Sequence, residues 1–168
     1  MLNDMNLWHE LPTLLVGFDI ESTGLDTEVD EPISYGFAIY QNGVLAGEEE
    51  FFALPSVPIH PAAEKIHGWS RHRLEELHAA GEAYSAVAGV ARAAQRLHEL
   101  HSQGAHFVGA YPEYDFRMTT SLLRRHSMGD IEVLGFDLAT VRLIDVCQHD
   151  RTIDVDRTRR RNLTALSE

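Results

Sequence analysis

Cysteine is almost missing from this chain. Cys147 is the single one in 168 residues, so no disulfide can form within it and no thiolate cluster can hold a structural metal. Positive charge is scarce as well. With 14 Lys and Arg against 26 Asp and Glu, the net charge of −12 argues against a protein that holds nucleic acid on a broad basic surface. It leaves room for one that grips a strand end through metal ions. The arginines are unevenly spread: Arg157, Arg159, Arg160 and Arg161 crowd together, and Arg117, Arg124 and Arg125 share a predicted helix. Both groups read as solvated faces. Long apolar runs are lacking too. No stretch approaches the ~20 residues of a membrane span, and the start, with Asp4, His9 and Glu10, has no basic segment leading into a signal core. The expected setting is cytoplasmic, with no membrane contact. Internal repeats, low-complexity tracts and dividing linkers are also absent, and residues 1–168 read as a single domain.

What is present is an ordinary globular balance, 44% hydrophobic and 24% charged, which excludes a disordered chain. Its organising stretch is Leu14 to Asp26, an apolar run that acquires two carboxylates before a Ser-Thr-Gly turn. Such a run predicts a central strand. Side chains alternate along a strand, so Asp19 and Glu21 share one face while Phe18 and Ile20 take the other. Two carboxylates in one small space need cations, protons or a metal. Oxygen ligands without Cys or His beside them suit Mg²⁺ or Mn²⁺ rather than Zn²⁺. The plainer alternative is a solvated pair at a strand end, with Asp19 capping the turn.

After a loose lead-in over residues 1–12, the first strand is expected from Thr13 to Glu21, the second from Ile33 to Tyr40 and the third from Val44 to Leu54. Asn42-Gly43 between the last two is a strong hairpin signal. Pro55, Pro58 and Pro61 break the pattern, and two short helices, Ala62 to His67 and Arg71 to His78, flank Gly68. From Glu82 to Gln103, Val87, Val90, Ala91, Ala94, Leu97 and Leu100 recur at helical steps and Gly104 supplies a stop. A strand from Ala105 to Tyr111, a helix from Asp115 to His126 with Leu122 and Leu123 inward, and a fifth strand from Val141 to Val146 complete the pattern. A helical pattern begins again at Asn162. The sum is an α/β protein with a mixed sheet.

These residues resemble the DEDD superfamily of 3′-to-5′ exonucleases, in particular the branch related to the proofreading epsilon subunit of bacterial DNA polymerase III. Phe18 to Leu25 is similar to its first motif, Asp-x-Glu-Thr-Thr-Gly; Ile66-His67-Gly68 is similar to its His-Gly segment; and Phe107 to Met118 resembles its second motif, with Asp115 as the acidic ligand. Leu143 to Asp145 and Arg159 to Leu166 look like its last strand and the helix after it. The resemblance implies a ribonuclease-H-like five-stranded mixed sheet with helices on both faces. Asp19, Glu21 and Asp115 would be the metal ligands and catalytic groups of a two-metal Mg²⁺ or Mn²⁺ site. Ser22, Thr23, Ile66, His67 and Tyr111 would touch the 3′ end of a single-stranded DNA or RNA, and a DNA polymerase or another replication or repair protein is an implied partner.

The sequence departs from the pattern twice. Ala110-Tyr111 stands where the second motif carries His-Asn. The third motif, a His with an Asp five residues on, should follow the helix that starts near Asn162, and no such segment precedes Glu168. The expectation is a domain without its C-terminal catalytic helix, weak or inactive by itself. His149 and Asp154 have the right spacing but stand where the family has a connecting helix, and are set aside. His98 and His101, three residues apart, read as solvated rather than as half a zinc site. A non-catalytic module that binds strand ends or replication and repair proteins is the alternative function, and a ribonuclease-H-type endonuclease a third.

Overall fold

The computed structural model describes residues 12–126 and 140–153. Strand β1 (Leu14–Ser22) forms where Val16, Phe18 and Ile20 alternate with Gly17, Asp19 and Glu21, so one face is buried and the other is not. Strands β2 (Pro32–Gln41) and β3 (Val44–Leu54) follow as a hairpin. Its two turn residues, Asn42 and Gly43, take φ of 51° and 78°, the left-handed pair that a two-residue loop between twisted strands requires. Two short helices come next, α1 (Pro61–His67) and α2 (Arg71–Ala79), then β4 (Ala83–Ser85) and the long helix α3 (Ala86–Ser102). Strand β5 (His106–Gly109), helix α4 (Pro112–Arg125), β6 (Arg142–Asp145) and α5 (Val146–Ile153) complete the described elements.

The strands lie in the order β4-β3-β2-β1-β5-β6. The pairs β1–β2 and β2–β3 are antiparallel, whereas β3–β4, β1–β5 and β5–β6 are parallel. The mixed sheet is thus as expected, with one more strand than the five predicted. Ala83–Ser85 is short, pairs only with Phe52–Leu54, and was hidden inside a stretch with helical periodicity. Helix α3 starts after it because the Ser85 hydroxyl accepts the Ala88 amide at 3.2 Å and caps the first turn. Its buried stripe is Ala86, Gly89, Val90, Ala93, Ala94, Leu97 and Leu100, rotated slightly from the expected one; Val87 is left exposed.

The core fills the space between one sheet face and helices α3 and α4. Phe116 of α4 meets Phe18 and Phe107 edge-on, with ring centroids 5.3 and 5.1 Å apart, and Leu122 and Leu123 point inward as expected. Arg96 of α3 donates to both carboxylate oxygens of Glu49, strapping the helix to β3. On the opposite face Phe52 packs on Trp69, just ahead of α2, at 4.4 Å. Helices therefore lie on both faces. Among the described residues no helix is long and apolar enough to cross a membrane. Asp154, the helical pattern from Asn162 and residues 1–11 of the lead-in fall outside the described residues.

Candidate active site

Parallel pairing of β1 with β5 places their carboxyl ends side by side, and the site is built there. Asp19 and Glu21 leave β1 on the face turned away from the core. Asp115 arrives from α4, which starts three residues earlier than its expected position, with Pro112 in its first turn, where a missing N–H costs nothing. Asp115 consequently falls in that first turn, where its carboxylate accepts bonds from its own amide and from the Ile20 amide. It is only 4% exposed. Removal from water, reinforced by the charge of Asp19, pushes its pKa up to about 8. Asp19 is open to solvent, yet the protein around it strips enough water to raise its pKa too, and Glu21 is raised by burial and then by Asp19.

The three carboxylates therefore feel one another across the strand ends. Among the described residues no three acidic, imidazole or thiol side chains converge closely enough to make a ready metal cage. The donor set nevertheless fits a hard divalent cation: three carboxylates, one of them buried with no positive charge among the described residues to offset it.

Beyond β1 the chain turns sharply. The Thr23 hydroxyl donates to Asp30 at 2.8 Å and accepts the Glu31 amide at 3.0 Å, while the Thr23 carbonyl accepts the His60 amide at 2.8 Å. Fully buried, Thr23 pins the turn and does not face the site. A Cβ at position 24 would run into the Asp30 carboxylate, which could make room only by moving from its place against Thr23. The Gly24 carbonyl in turn accepts the Ser22 hydroxyl at 2.7 Å and the Tyr114 hydroxyl at 2.9 Å. Beside this turn lies a hollow of about 420 Å³, lined by Glu21, Ser22, Leu25, Ile66, His67 and Tyr114 among others. Ile66 is 84% exposed at its wall, a large apolar side chain offered to solvent or to a ligand. His67 Nδ1 accepts the Trp69 amide at 3.0 Å, so its proton sits on Nε2, buried beside the Ser22 backbone; burial lowers its pKa and keeps it neutral.

Asp19, Glu21 and Asp115 thus lie near enough to raise one another's pKa without converging on one point, and Ser22, Ile66 and His67 line the adjoining hollow. Tyr111 stands apart from that hollow, at the start of α4, with Arg151 of α5 donating to its hydroxyl at 2.8 Å. His149 is exposed on α5 and no hydrogen bond or ion pair joins it to the carboxylates. His98 and His101 are half-buried rather than solvated. Sequence reasoning overlooked Tyr114 and Arg151. Adjacency to Asp115 could have flagged Tyr114; nothing in the sequence places Arg151 against Tyr111.

A mixed sheet with acidic groups from its first strand and from the helix after β5 defines a ribonuclease-H-like nuclease domain. The family model RNase_T, described as exonuclease, matches residues 16–132, and the chain belongs to this family, within the superfamily its motifs resemble. No curated protein matches it. Among solved structures it is similar to apo Exonuclease I, at 18% identity and a TM-score of 0.67, over 88% of this chain and 32% of that one. An ExoI/SSB-Ct complex matches at 18% and 0.66, over 88% and 31%. E. coli Exonuclease I in complex with a dT13 oligonucleotide matches at 17% and 0.65, over 84% and 29%. The chain spans about a third of the length of these structures. Their likeness supports the fold and does not single out the epsilon-subunit branch.

Proposed function

We propose that residues 1–168 form one exonuclease-like domain that binds the 3′ end of single-stranded DNA and hydrolyses its terminal phosphodiester bond with divalent metal. The observation that carries this is the mutual electrostatic influence of Asp19, Glu21 and Asp115 at the end of β1, next to a hollow lined by Glu21, Ile66 and His67. Asp19, Glu21 and Asp115 would hold Mg²⁺ or Mn²⁺, which when bound supplies the positive charge that stabilises the attacking and leaving oxygens. Ile66 offers an apolar wall for the terminal base, and neutral His67 and the Ser22 hydroxyl flank it without adding charge. Tyr114 holds Ser22 and Gly24 in place from α4. Thr23 acts by pinning the loop rather than by touching the nucleotide.

Turnover by residues 1–168 is expected to be slow. A general base typically contributes ~10²- to 10⁴-fold, and His149 is not gathered at the carboxylates. Binding to single-stranded DNA in place of RNA and a replication or repair protein as partner belong to the same reading, supported by the dT13 and SSB-Ct complexes of the structural neighbours, and a cytoplasmic setting is proposed with them. The test is release of 3′ nucleotides from a 5′-labelled oligonucleotide in Mg²⁺ by wild type, Asp115→Asn and His149→Ala. Slow release abolished in Asp115→Asn supports the reading. Binding of the end with no release under any metal would favour the non-catalytic module, and cleavage of a circular strand the endonuclease.

A further inference from the structure

The geometry points to a phosphate-binding site at Arg151, positioned by Tyr111, that takes a backbone phosphate of the single strand whose end lies at the carboxylates. This rests on the function proposed above.

Tyr111 carries the first observation. Its φ of 58° and ψ of 49° lie in the left-handed region that bulky residues avoid. It stands at the N-cap of α4 yet makes no capping bond with its side chain, so its strain is not explained by helix initiation. Strain of this kind collects at functional sites. What the conformation does is project the phenol, 47% exposed, toward α5. There Arg151 donates to the hydroxyl at 2.8 Å, and its guanidinium carbon lies 5.8 Å from the ring centroid.

The second observation is the charge that this arrangement preserves. Arg96 is neutralised by Glu49 and Glu99, Arg71 by Glu75 and Arg117 by Glu113. Arg151, exposed on α5, is among several arginines that make no ion pair among the described residues; what sets it apart is its anchor, the neutral phenol of a strained Tyr111. Among the described residues one N–H is used, toward Tyr111, and the side chain is exposed, an arrangement that suits two oxygens of a phosphate.

Placement is the third. Tyr111 is four residues ahead of Asp115, and α5 follows β6, the strand paired with β5, so the Tyr111–Arg151 contact lies at the carboxyl ends of β5 and β6, the end of the sheet from which α4 carries Asp115. In a chain of net charge −12, a polyanion approaching three carboxylates gains from a cation fixed at that point.

The experiment uses the whole 168-residue chain and a 5′-fluorescein oligothymidylate, with binding followed by anisotropy in Ca²⁺ across a salt series. Arg151→Ala should weaken binding about tenfold and make the log Kd against log salt slope shallower by about 0.7, the loss of one phosphate contact on a single strand. Arg151→Lys should restore the slope, and Tyr111→Phe should weaken binding less than Arg151→Ala does. Methylphosphonate placed at one linkage at a time should reveal one position that weakens wild type and leaves Arg151→Ala indifferent. Unchanged affinity and slope in Arg151→Ala, or identical methylphosphonate profiles, overturn the assignment and make the pair a tie between helices. Asp115→Asn separates the two levels: loss of 3′ release there with an unaffected Arg151→Ala refutes this site alone, whereas wild type that neither binds nor cleaves refutes both.

Discussion

Asp115 makes the stability of the metal-free protein depend on pH in an unusual direction. Its folded pKa is raised from 3.8 to about 8, so between those values the folded protein keeps a proton that the unfolded chain has released. The folded state then binds more protons, and stability falls as pH rises through that window. One proton is worth at most about 1.4 kcal/mol per pH unit, so a span of about four units sets a ceiling near 6 kcal/mol. The ionised form still keeps the Ile20 and Asp115 amides and can draw in water, so an effective dielectric of about 20 applies and a loss of about 1–3 kcal/mol is expected. At roughly 2–4 °C per kcal/mol for a chain of this size, the melting temperature should drop by about 2–12 °C between pH 5 and 8. Asp19 and Glu21, also raised, add in the same direction. The measurement is thermal unfolding by circular dichroism in EDTA across that range, for wild type and Asp115→Asn. The variant should be flatter, and Mg²⁺ should flatten wild type by replacing the proton with a cation. An Asp115→Asn curve that falls as steeply as wild type would show that the buried carboxyl is not the source.

Three further outcomes are expected. Mg²⁺ or Mn²⁺ should raise the melting temperature, by the equivalent of about 2.7 kcal/mol at a hundred times Kd; Asp19→Asn and Asp115→Asn should each erase that shift, and an unchanged shift would remove them as ligands. In EDTA, Asp19→Asn should itself melt higher than wild type, because it relieves Asp115 and Glu21 of a like charge; a lower melting point would mean that Asp19 makes a structural bond. Gly24→Ala should cost about 1–3 kcal/mol in chemical denaturation, because its Cβ displaces the Asp30 carboxylate that holds Thr23; no loss would mean that the turn relaxes freely.

Much of the sheet was legible because period-two alternation and the Asn42-Gly43 turn are local signals. β2 and β3 were placed to within a residue at each end. Strand β4 was not, since three residues carry too little pattern to interrupt the periodicity of α3, although Ser85 was a readable cap. The start of α4 was readable too, in Pro112, and the expected start at Asp115 missed it by three residues. The same chemistry would have warned that Asp115 lies in a first turn, beside free amides.

Site residues divide along a similar line. Asp19 and Glu21 could be read as a pair because strand geometry fixes their shared face, and the resemblance supplied Asp115. Thr23 shows the limit of motif reading: its hydroxyl belongs to Asp30 and the Glu31 amide, contacts made across a loop whose path no periodicity encodes. Arg151 shows it more sharply. In sequence it is one of several arginines near the C-terminal end and carries no distinguishing pattern; its uncancelled charge emerges only once α5 is laid beside a tyrosine held in a left-handed turn 40 residues earlier. Local order thus determines which acidic groups meet, whereas the cation that a polyanionic ligand would need is set by packing between two helices that the sequence gives no reason to join.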